Sequence, residues 1–168
     1  MANTLQQNNS ANRHIVQYDA DYSLCAGCSA CEILCGLLHD AMVGPKARRI
    51  FVEKDSTQLL HKVHACQHCT DHPCFDACPP KVGAMRLDAE TGVVCVDEEK
   101  CIGCKLCIKA CPFTPKRIQI GPKGKAIKCD LCRTRPEGPA CIEYCQVMCL
   151  GLSDWESSAP NRKDSYGN

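Results

Sequence analysis

Cysteine is the residue that most constrains how this chain can fold, because 18 of its 168 residues are cysteine. Such a content is typical of chains held together through sulfur and not by a large apolar core. Two cysteines, Cys95 and Cys149, stand apart, and the other 16 form four sets of four. The sets are Cys25, Cys28, Cys31 and Cys35; Cys66, Cys69, Cys74 and Cys78; Cys101, Cys104, Cys107 and Cys111; and Cys129, Cys132, Cys141 and Cys145.

The N-terminal residues favour a cytoplasmic localisation. They include no basic region followed by an apolar stretch, and no apolar run in the chain approaches the length of a membrane span. We therefore expect a cytoplasmic protein with no membrane segment. Because the cytosol is reducing, its cysteines are expected to be metal ligands and not disulfides.

The spacing within the sets indicates the metal. The first and third sets read C-x2-C-x2-C-x3-C, and Pro112 follows the third, which is the arrangement of bacterial ferredoxins. Three thiolates on one tight loop can surround one face of an iron–sulfur cubane, and Gly27 and Gly103 let the backbone approach it. The fourth cysteine is expected at the start of a helix, pointing away, so that it binds a second cluster.

Zinc is the alternative, since C-x2-C pairs also form zinc knuckles. A structural zinc site uses four ligands, usually as two separated pairs. A C-x2-C-x2-C-x3-C run instead supplies three ligands on one loop and a fourth that points elsewhere. A zinc-binding interaction module is therefore kept only as a remote alternative to iron–sulfur clusters.

The segments between the sets predict an α+β fold of short hairpins and short helices. Alternating stretches at 84–88 and 93–97 flank a turn at 88–92 and predict a hairpin. The stretch 117–128 predicts another hairpin around Gly-Pro-Lys-Gly. Strands are also expected at 48–52 and 59–63, and a helix is expected over 29–39 from the spacing of Ile33, Leu34, Leu37 and Leu38.

The order of the sets predicts two ferredoxin-like units, one inserted within the other. Residues 66–117 carry the second and third sets and form the inserted two-cluster unit. Residues 22–65 and 118–155 carry the first and fourth sets and form the discontinuous unit. Residues 1–21 are expected to form an N-terminal arm and residues 156–168 a C-terminal tail, with Trp155 as a packing anchor.

Four motifs carry a resemblance to a known family: CAGCSACEILC, CQHCTDHPCFDACP, CIGCKLCIKACPF, and KCDLC followed by ACIEYC. Over residues 22–152 the chain resembles the four-cluster iron–sulfur subunits of the dimethyl sulfoxide reductase type. The resemblance implies four [4Fe–4S] clusters. It implies the ligand sets Cys25, Cys28, Cys31 and Cys145; Cys35, Cys129, Cys132 and Cys141; Cys66, Cys69, Cys74 and Cys111; and Cys78, Cys101, Cys104 and Cys107.

The chain departs from the family at the end of the fourth set, where Gln146 stands in place of the usual proline. Three residues separate Cys149 from Cys145, so Cys149 could replace Cys145 as a ligand. Cys145, however, keeps the ferredoxin spacing from Cys141. Cys95 is expected to be a small buried residue. His39, His64, His68 and His72 are expected near the sets as surface groups or hydrogen-bond partners and not as ligands.

The charge distribution is uneven although the formal net charge is only +1, which argues against nucleic acid as a partner. Residues 81–135 carry 12 Lys/Arg against 6 Asp/Glu. Four all-thiolate clusters at about −2 each would bring the net charge to about −7. The basic residues beside the cysteines are expected mainly to offset that charge, with an acidic partner as the second interpretation. They are Lys100, Lys105, Lys109, Lys128 and Arg133.

No motif for nucleotide, flavin or nicotinamide binding is present, and no catalytic site is predicted. The resemblance implies a non-catalytic electron-transfer subunit that serves a catalytic tungsten- or molybdenum-pterin subunit and a second redox partner. That second partner is a flavin or NAD subunit, a soluble electron carrier, or further copies of the chain, assembled so that electrons pass from one copy to the next. CEILCGLLHD followed by PKARRI is most similar to small subunits of tungsten aldehyde oxidoreductase and related benzoyl-CoA reductase complexes. Formate dehydrogenase, hydrogenase and carbon monoxide dehydrogenase complexes are the alternatives.

Overall fold

The computed structural model describes residues 13–19, 22–89 and 91–153, so Trp155 and most of both termini lie outside the described residues. The elements are short, as expected for an α+β ferredoxin-like fold. They are β1 (Ile15–Gln17), α1 (Ala30–Asp40), β2 (Phe51–Asp55), β3 (Leu60–His64), α2 (Pro73–Asp76), β4 (Met85–Leu87), β5 (Val94–Val96), α3 (Leu106–Ala110), β6 (Ile118–Ile120), β7 (Ala126–Lys128), α4 (Ala140–Glu143) and β8 (Leu150–Leu152).

The strands form four separate antiparallel pairs. Hairpins β4–β5 and β6–β7 confirm the strands predicted at 84–88, 93–97 and 117–128. The fourth pair joins β1 to β8, with Val16 opposite Gly151. Neither of these strands was predicted, because each is three residues long and its partner lies at the other end of the chain.

The first strand of the remaining hairpin was predicted too early. β2 begins at Phe51 and not at residue 48, since the residues before it are bound to α1. The backbone N–H of Arg49 donates to Sγ of Cys35 at 3.2 Å. The Arg48 guanidinium pairs with Glu32, whose carboxylate also accepts the N–H of Val52 at 2.9 Å.

Helix α1 lies within one residue of its predicted bounds, but its apolar side chains do not face the core. The buried residues of the helix are Glu32, Cys35 and Gly36. Leu37 and Leu38 are 44% and 53% exposed. The helix is therefore held through its cysteine and its buried carboxylate, and its leucines are left at the surface.

The buried residues form two cores that are built largely around thiols. The larger core contains Cys25, Cys35, Cys129 and Cys141 packed with Ile50. The smaller core contains Cys101 and Cys107 with Met85 and Val94. Helix α1 packs against α4, and α2 packs against α3. Two-stranded hairpins are marginal on their own, so the groups that bind these thiols determine the stability of the fold.

Two glycines with the same backbone conformation test how tightly the loop of the third set is packed. Gly103 (φ +68°) and Gly124 (φ +73°) are both left-handed, but a Cβ on Gly103 would lie 2.3 Å from the carbonyl oxygen of Gly124, whereas a Cβ on Gly124 would meet nothing within 4 Å. Gly124→Ala should cost about 1 kcal/mol for its backbone conformation. Gly103→Ala should cost about 1–3 kcal/mol more, because backbone must move.

The measurement is the midpoint of thermal unfolding by far-ultraviolet circular dichroism of the iron-loaded protein under anaerobic conditions. Gly103→Ala should have a clearly lower midpoint than Gly124→Ala. Equal midpoints would contradict the close packing of the 101–105 loop against the β6–β7 turn.

Candidate metal centres

One local arrangement is repeated in all four cysteine sets. The third cysteine of each set is the second residue of a helix, and the fourth follows four positions later, on the same side one turn further on. Cys107 in α3 and Cys111 directly after it are an example. The fourth cysteines therefore lie within or just after the helices, and the prediction that they begin a helix was wrong. The physical reason is that a left-handed residue (Ser29, His72 or Lys105) starts each of the first three helices just before the third cysteine.

The spacing of four has a geometric consequence. One helical turn rises about 5.4 Å, so the third and fourth thiols of a set are offset along the helix by that length. They can therefore face two neighbouring cavities instead of one.

The first cavity is lined by cysteines of the second and third sets. Cys66, Cys69, Cys74 and Cys111 all line this cavity. Val94, Phe113 and Ile118 provide much of the rest of the wall. The four thiols that the resemblance assigns to one cluster are thus brought together at an otherwise largely apolar site.

This cavity also contains polar nitrogen atoms whose hydrogen-bonding capacity is unused. Nε of Arg117 and Nε2 of His72 are buried, and the described residues provide no hydrogen-bond partner for either. Both residues line the cavity. Iron–sulfur clusters are stabilised by N–H groups that donate to their sulfurs, so these atoms fit such a group.

A second cavity is lined by Cys35, Cys129, Cys132 and Cys141, which come from the first and fourth sets. A third is lined by Cys78, Cys101, Cys104 and Cys107, which come from the second and third sets. Each of these cavities again contains the four cysteines of one implied ligand set. In each, three thiols come from one set and the fourth from another.

Most of the remaining thiols belong to or pack against the larger core, which also contains Ile15 of β1 and Leu150 of β8. Burial, followed by the charges of Glu32, Cys25 and Cys28, raises the pKa of the Cys31 thiol to about 12, which places Cys25, Cys28 and Cys31 close to one another. Sγ of Cys145 lies 3.6 Å from Sγ of Cys149. Both thiols lie in or against the same core as Cys25 and Cys31, so the choice between Cys145 and Cys149 stays a prediction.

Burial sets the protonation state of the thiols when no metal is bound. It raises the pKa of Cys74 and of Cys107 to about 11, and it raises the pKa of Cys129 and Cys141 well above the ordinary value. These thiols are neutral at pH 7, and a metal must displace their protons to bind. Sites of four sulfur ligands select zinc or iron–sulfur clusters.

Lys128 is a charged group buried between two of the sites. Only 3% of its surface is exposed. Its Nζ donates to the carbonyl oxygens of Val94 and Cys129 and lies 3.4 Å from Nδ1 of His68. Its charge opposes the burial-driven rise in the thiol pKa of both Cys74 and Cys129. Lys128 therefore lies close to thiols that line two different cavities.

The histidines near the cysteines act as hydrogen-bonding groups. Nε2 of His39 lies 3.0 Å from a carboxylate oxygen of Asp130, and its Nδ1 lies 2.9 Å from the carbonyl oxygen of Cys35. The bond to Asp130 is the main cause that raises the pKa of His39 to about 12. Donor atoms of His39, Asp130 and Cys132 lie within 4.8 Å of one another, but both ring nitrogens already have partners. His64 and His68 are buried.

Two predicted features of the cysteines can be located directly. Cys95 is buried in β5, as expected for a small packing residue. All 18 cysteines are free thiols, so the four sets are available as ligands. Among the described residues, no helix has both the length and the apolar character needed to cross a membrane.

Residues 57–155 match the family model described as the 4Fe-4S dicluster domain. Among curated relatives, the chain is 42% identical to the polyferredoxin-like subunit of an aliphatic sulfonate oxidoreductase from Pyrococcus furiosus, over 72% of this chain and 66% of that subunit. It is 36% identical to the electron transport protein HydN of Escherichia coli, over 83% and 86% of the two chains. It is 34% identical to the thiosulfate reductase electron transfer subunit PhsB of Salmonella typhi, over 92% and 83%.

The position of Lys128 leads to a prediction about reduction potentials. Reduction adds negative charge, which a buried ammonium stabilises more than an exposed one does. Lys128→Met should therefore lower the potentials of the clusters nearest Cys74 and Cys129 by tens of millivolts. Lys123→Met is the matched control, because Lys123 is exposed and paired with Glu98 at 3.1 Å, and it should change them little.

The measurement is an anaerobic redox titration followed by electron paramagnetic resonance. Iron content and the visible spectrum establish that both variants hold their clusters. Equal shifts in the two variants, or no shift in Lys128→Met, would contradict this role for the buried lysine.

Proposed function

Since this chain belongs to the 4Fe-4S dicluster domain family and is an iron–sulfur electron-transfer protein, we propose that it carries four [4Fe–4S] clusters in a row. In this role it relays electrons between a catalytic oxidoreductase subunit and a second redox partner. The chain itself is proposed to be non-catalytic. The observation that carries the proposal is the continuity between the cysteine sites.

The ligand sets are those implied by the resemblance, and three cavities support them. Each cavity is lined by four cysteines drawn from two sets. We propose that these hold the second, third and fourth clusters, and that Cys25, Cys28, Cys31 and Cys145 hold the first. The proposed ligands of the second cluster are Cys35, Cys129, Cys132 and Cys141. Those of the third cluster are Cys66, Cys69, Cys74 and Cys111, and those of the fourth are Cys78, Cys101, Cys104 and Cys107.

Between neighbouring sites, a thiol of one site lies close enough to raise the pKa of a thiol in the next. Cys31 of the first site acts on Cys141 of the second. Cys66 of the third site acts on Cys129 of the second. Cys74 of the third acts on Cys107 of the fourth. These electrostatic influences support the proposed order of the sites from first to fourth, and with it a continuous path for electrons.

The packing of the helices supports the proposed insertion of one ferredoxin-like unit within another. Helices α1 and α4 contact each other, and they carry cysteines of the first and fourth sets. Helices α2 and α3 also contact each other, and they carry cysteines of the second and third sets. Strand β1, which lies in the segment predicted as an N-terminal arm, pairs with β8 of the outer unit.

We propose a tungsten- or molybdenum-pterin aldehyde oxidoreductase subunit as the catalytic partner, on the basis of the motif in the first set. The names of two relatives support an oxidoreductase complex in general, since one serves an aliphatic sulfonate oxidoreductase and the other a thiosulfate reductase. Formate dehydrogenase, hydrogenase and carbon monoxide dehydrogenase complexes are the alternatives. The second partner is a flavin or NAD subunit, a soluble carrier, or further copies of this chain.

Paired cysteine substitutions test the cluster count and the ligands. The protein purified anaerobically should contain about 16 iron atoms per chain. Cys101→Ala combined with Cys104→Ala removes two ligands of the fourth site and should lower the iron content to about 12. Cys95→Ala is the control, because this buried thiol is assigned to no cluster, and it should keep the full content.

Two outcomes would contradict the proposal. One is a colourless protein that contains zinc and no iron. The other is a loss of iron in Cys95→Ala equal to that in the double variant.

The catalytic partner is tested by elemental analysis of the native complex, isolated anaerobically through a tag on this chain. Tungsten or molybdenum together with excess iron is the expected result. Nickel with iron would overturn the pterin assignment and would support a hydrogenase or carbon monoxide dehydrogenase partner. The electron-transfer role would stand in either case.

A further inference from the structure

Two of the 18 cysteines are exposed, namely Cys28 and Cys104. Each is the second cysteine of its set. Cys28 belongs to the first site and Cys104 to the fourth, so they lie at opposite ends of the proposed row. At these two positions electrons can enter or leave the chain through the surface.

The surface around Cys104 combines an apolar centre with a basic rim. Ile102 is 65% exposed and Leu106 is 41% exposed. Residues 99–109 carry exposed lysines at 100, 105 and 109 and a single exposed carboxylate, that of Glu99. We call the surface formed by Lys100, Ile102, Cys104, Lys105, Leu106 and Lys109 the Cys104 face.

The β6–β7 turn extends this positive rim. The Gly103 backbone packs directly against Gly124, which brings the turn beside the loop of the third set. Lys123 in that turn is exposed and contacts Glu98 at 3.1 Å. Glu98 also lies 3.4 Å from the guanidinium of Arg49, so two cations share this one carboxylate.

The surface around Cys28 has a different chemistry. Residues 22–30 contain no lysine, arginine, aspartate or glutamate. Leu24 is 54% exposed, and Ala26 is exposed beside it. The segment that carries Cys28 is therefore uncharged, whereas the segment that carries Cys104 is rich in exposed lysine.

The lysines of the Cys104 face are poorly placed to offset cluster charge. Charges in water are screened, whereas a buried charge acts several times more strongly. Lys128 is a buried cation among the thiols. Exposed lysines around an exposed apolar centre instead resemble the rim of a transient protein interface.

We propose that the Cys104 face docks a small acidic electron-carrier protein, which exchanges electrons with the fourth site. This inference rests on the proposed electron-transfer function. Its apolar centre would exclude water over Cys104, and its lysines would pair with carboxylates of the carrier. With its clusters bound the whole chain is expected to be negative, so this local positive surface also orients the approaching carrier.

The test is the rate at which a reduced acidic two-cluster bacterial ferredoxin transfers an electron to the oxidised chain, followed by stopped-flow absorbance. Lys100→Glu combined with Lys109→Glu should lower the second-order rate constant about tenfold at low ionic strength. The loss should disappear in high salt. Lys100→Gln combined with Lys109→Gln should give a smaller loss in the same direction.

The matched control is Lys54→Glu combined with Lys62→Glu. Both residues are exposed on the β2–β3 hairpin, and the change in net charge is the same. This control should keep the rate constant within twofold of the unmodified chain. Calorimetric titration of the ferredoxin into the oxidised chain gives a second readout, and binding should weaken in the Cys104-face variant alone. Iron content and the visible spectrum must be unchanged in all variants.

Equal losses in the two charge-reversed variants would overturn the proposal, because net charge would then explain the effect. Unchanged rates and binding in the Cys104-face variant would also overturn it. Reduction by photoreduced deazaflavin, which needs no docking surface, separates this failure from that of the parent function. A chain that accepts electrons from deazaflavin but shows no Cys104-face effect retains the electron-transfer role and loses the docking site.

Discussion

The bonding of cysteine thiols to metal is the constraint on which the rest of this structure depends. The buried core contains as many thiols as large aliphatic side chains, and its sheets are isolated pairs of strands, which are marginally stable on their own. Burial favours the neutral form of several thiols, so the binding of clusters is expected to release protons.

A spacing of four residues turns separate sites into a row. Because the third and fourth cysteines of a set are four residues apart, α2 with Cys78 after it and α3 with Cys111 after it each place one thiol at each of two cavities. These helices thus connect two sites as well as forming part of their walls. This arrangement supports the proposal of four clusters in such a small chain.

Buried and exposed lysines have different roles in this chain. Lys128 is enclosed near the thiols of two cavities, where its ammonium acts through a medium of low polarity. The lysines beside Cys104 are exposed, where their individual effects on the clusters are weak and their combined field extends into solvent. The same excess of basic residues therefore supports internal electrostatics at one position and partner recognition at another.

The sequence by itself determined the chemistry and the local elements of this protein. Cysteine spacing identified the iron–sulfur family, alternation identified two hairpins, and apolar spacing located α1, because each of these signals lies within about a dozen consecutive residues. It misplaced the start of β2, whose preceding residues bind α1, and it missed β1 and β8, which pair only with each other. Only the tertiary structure decided which thiols share a cavity, that Lys128 is buried while Lys105 is exposed, and that Cys28 and Cys104 reach the surface. The burial of a side chain and the pairing of distant strands depend on how separate segments pack together. Patterns within a short stretch of sequence do not predict that packing.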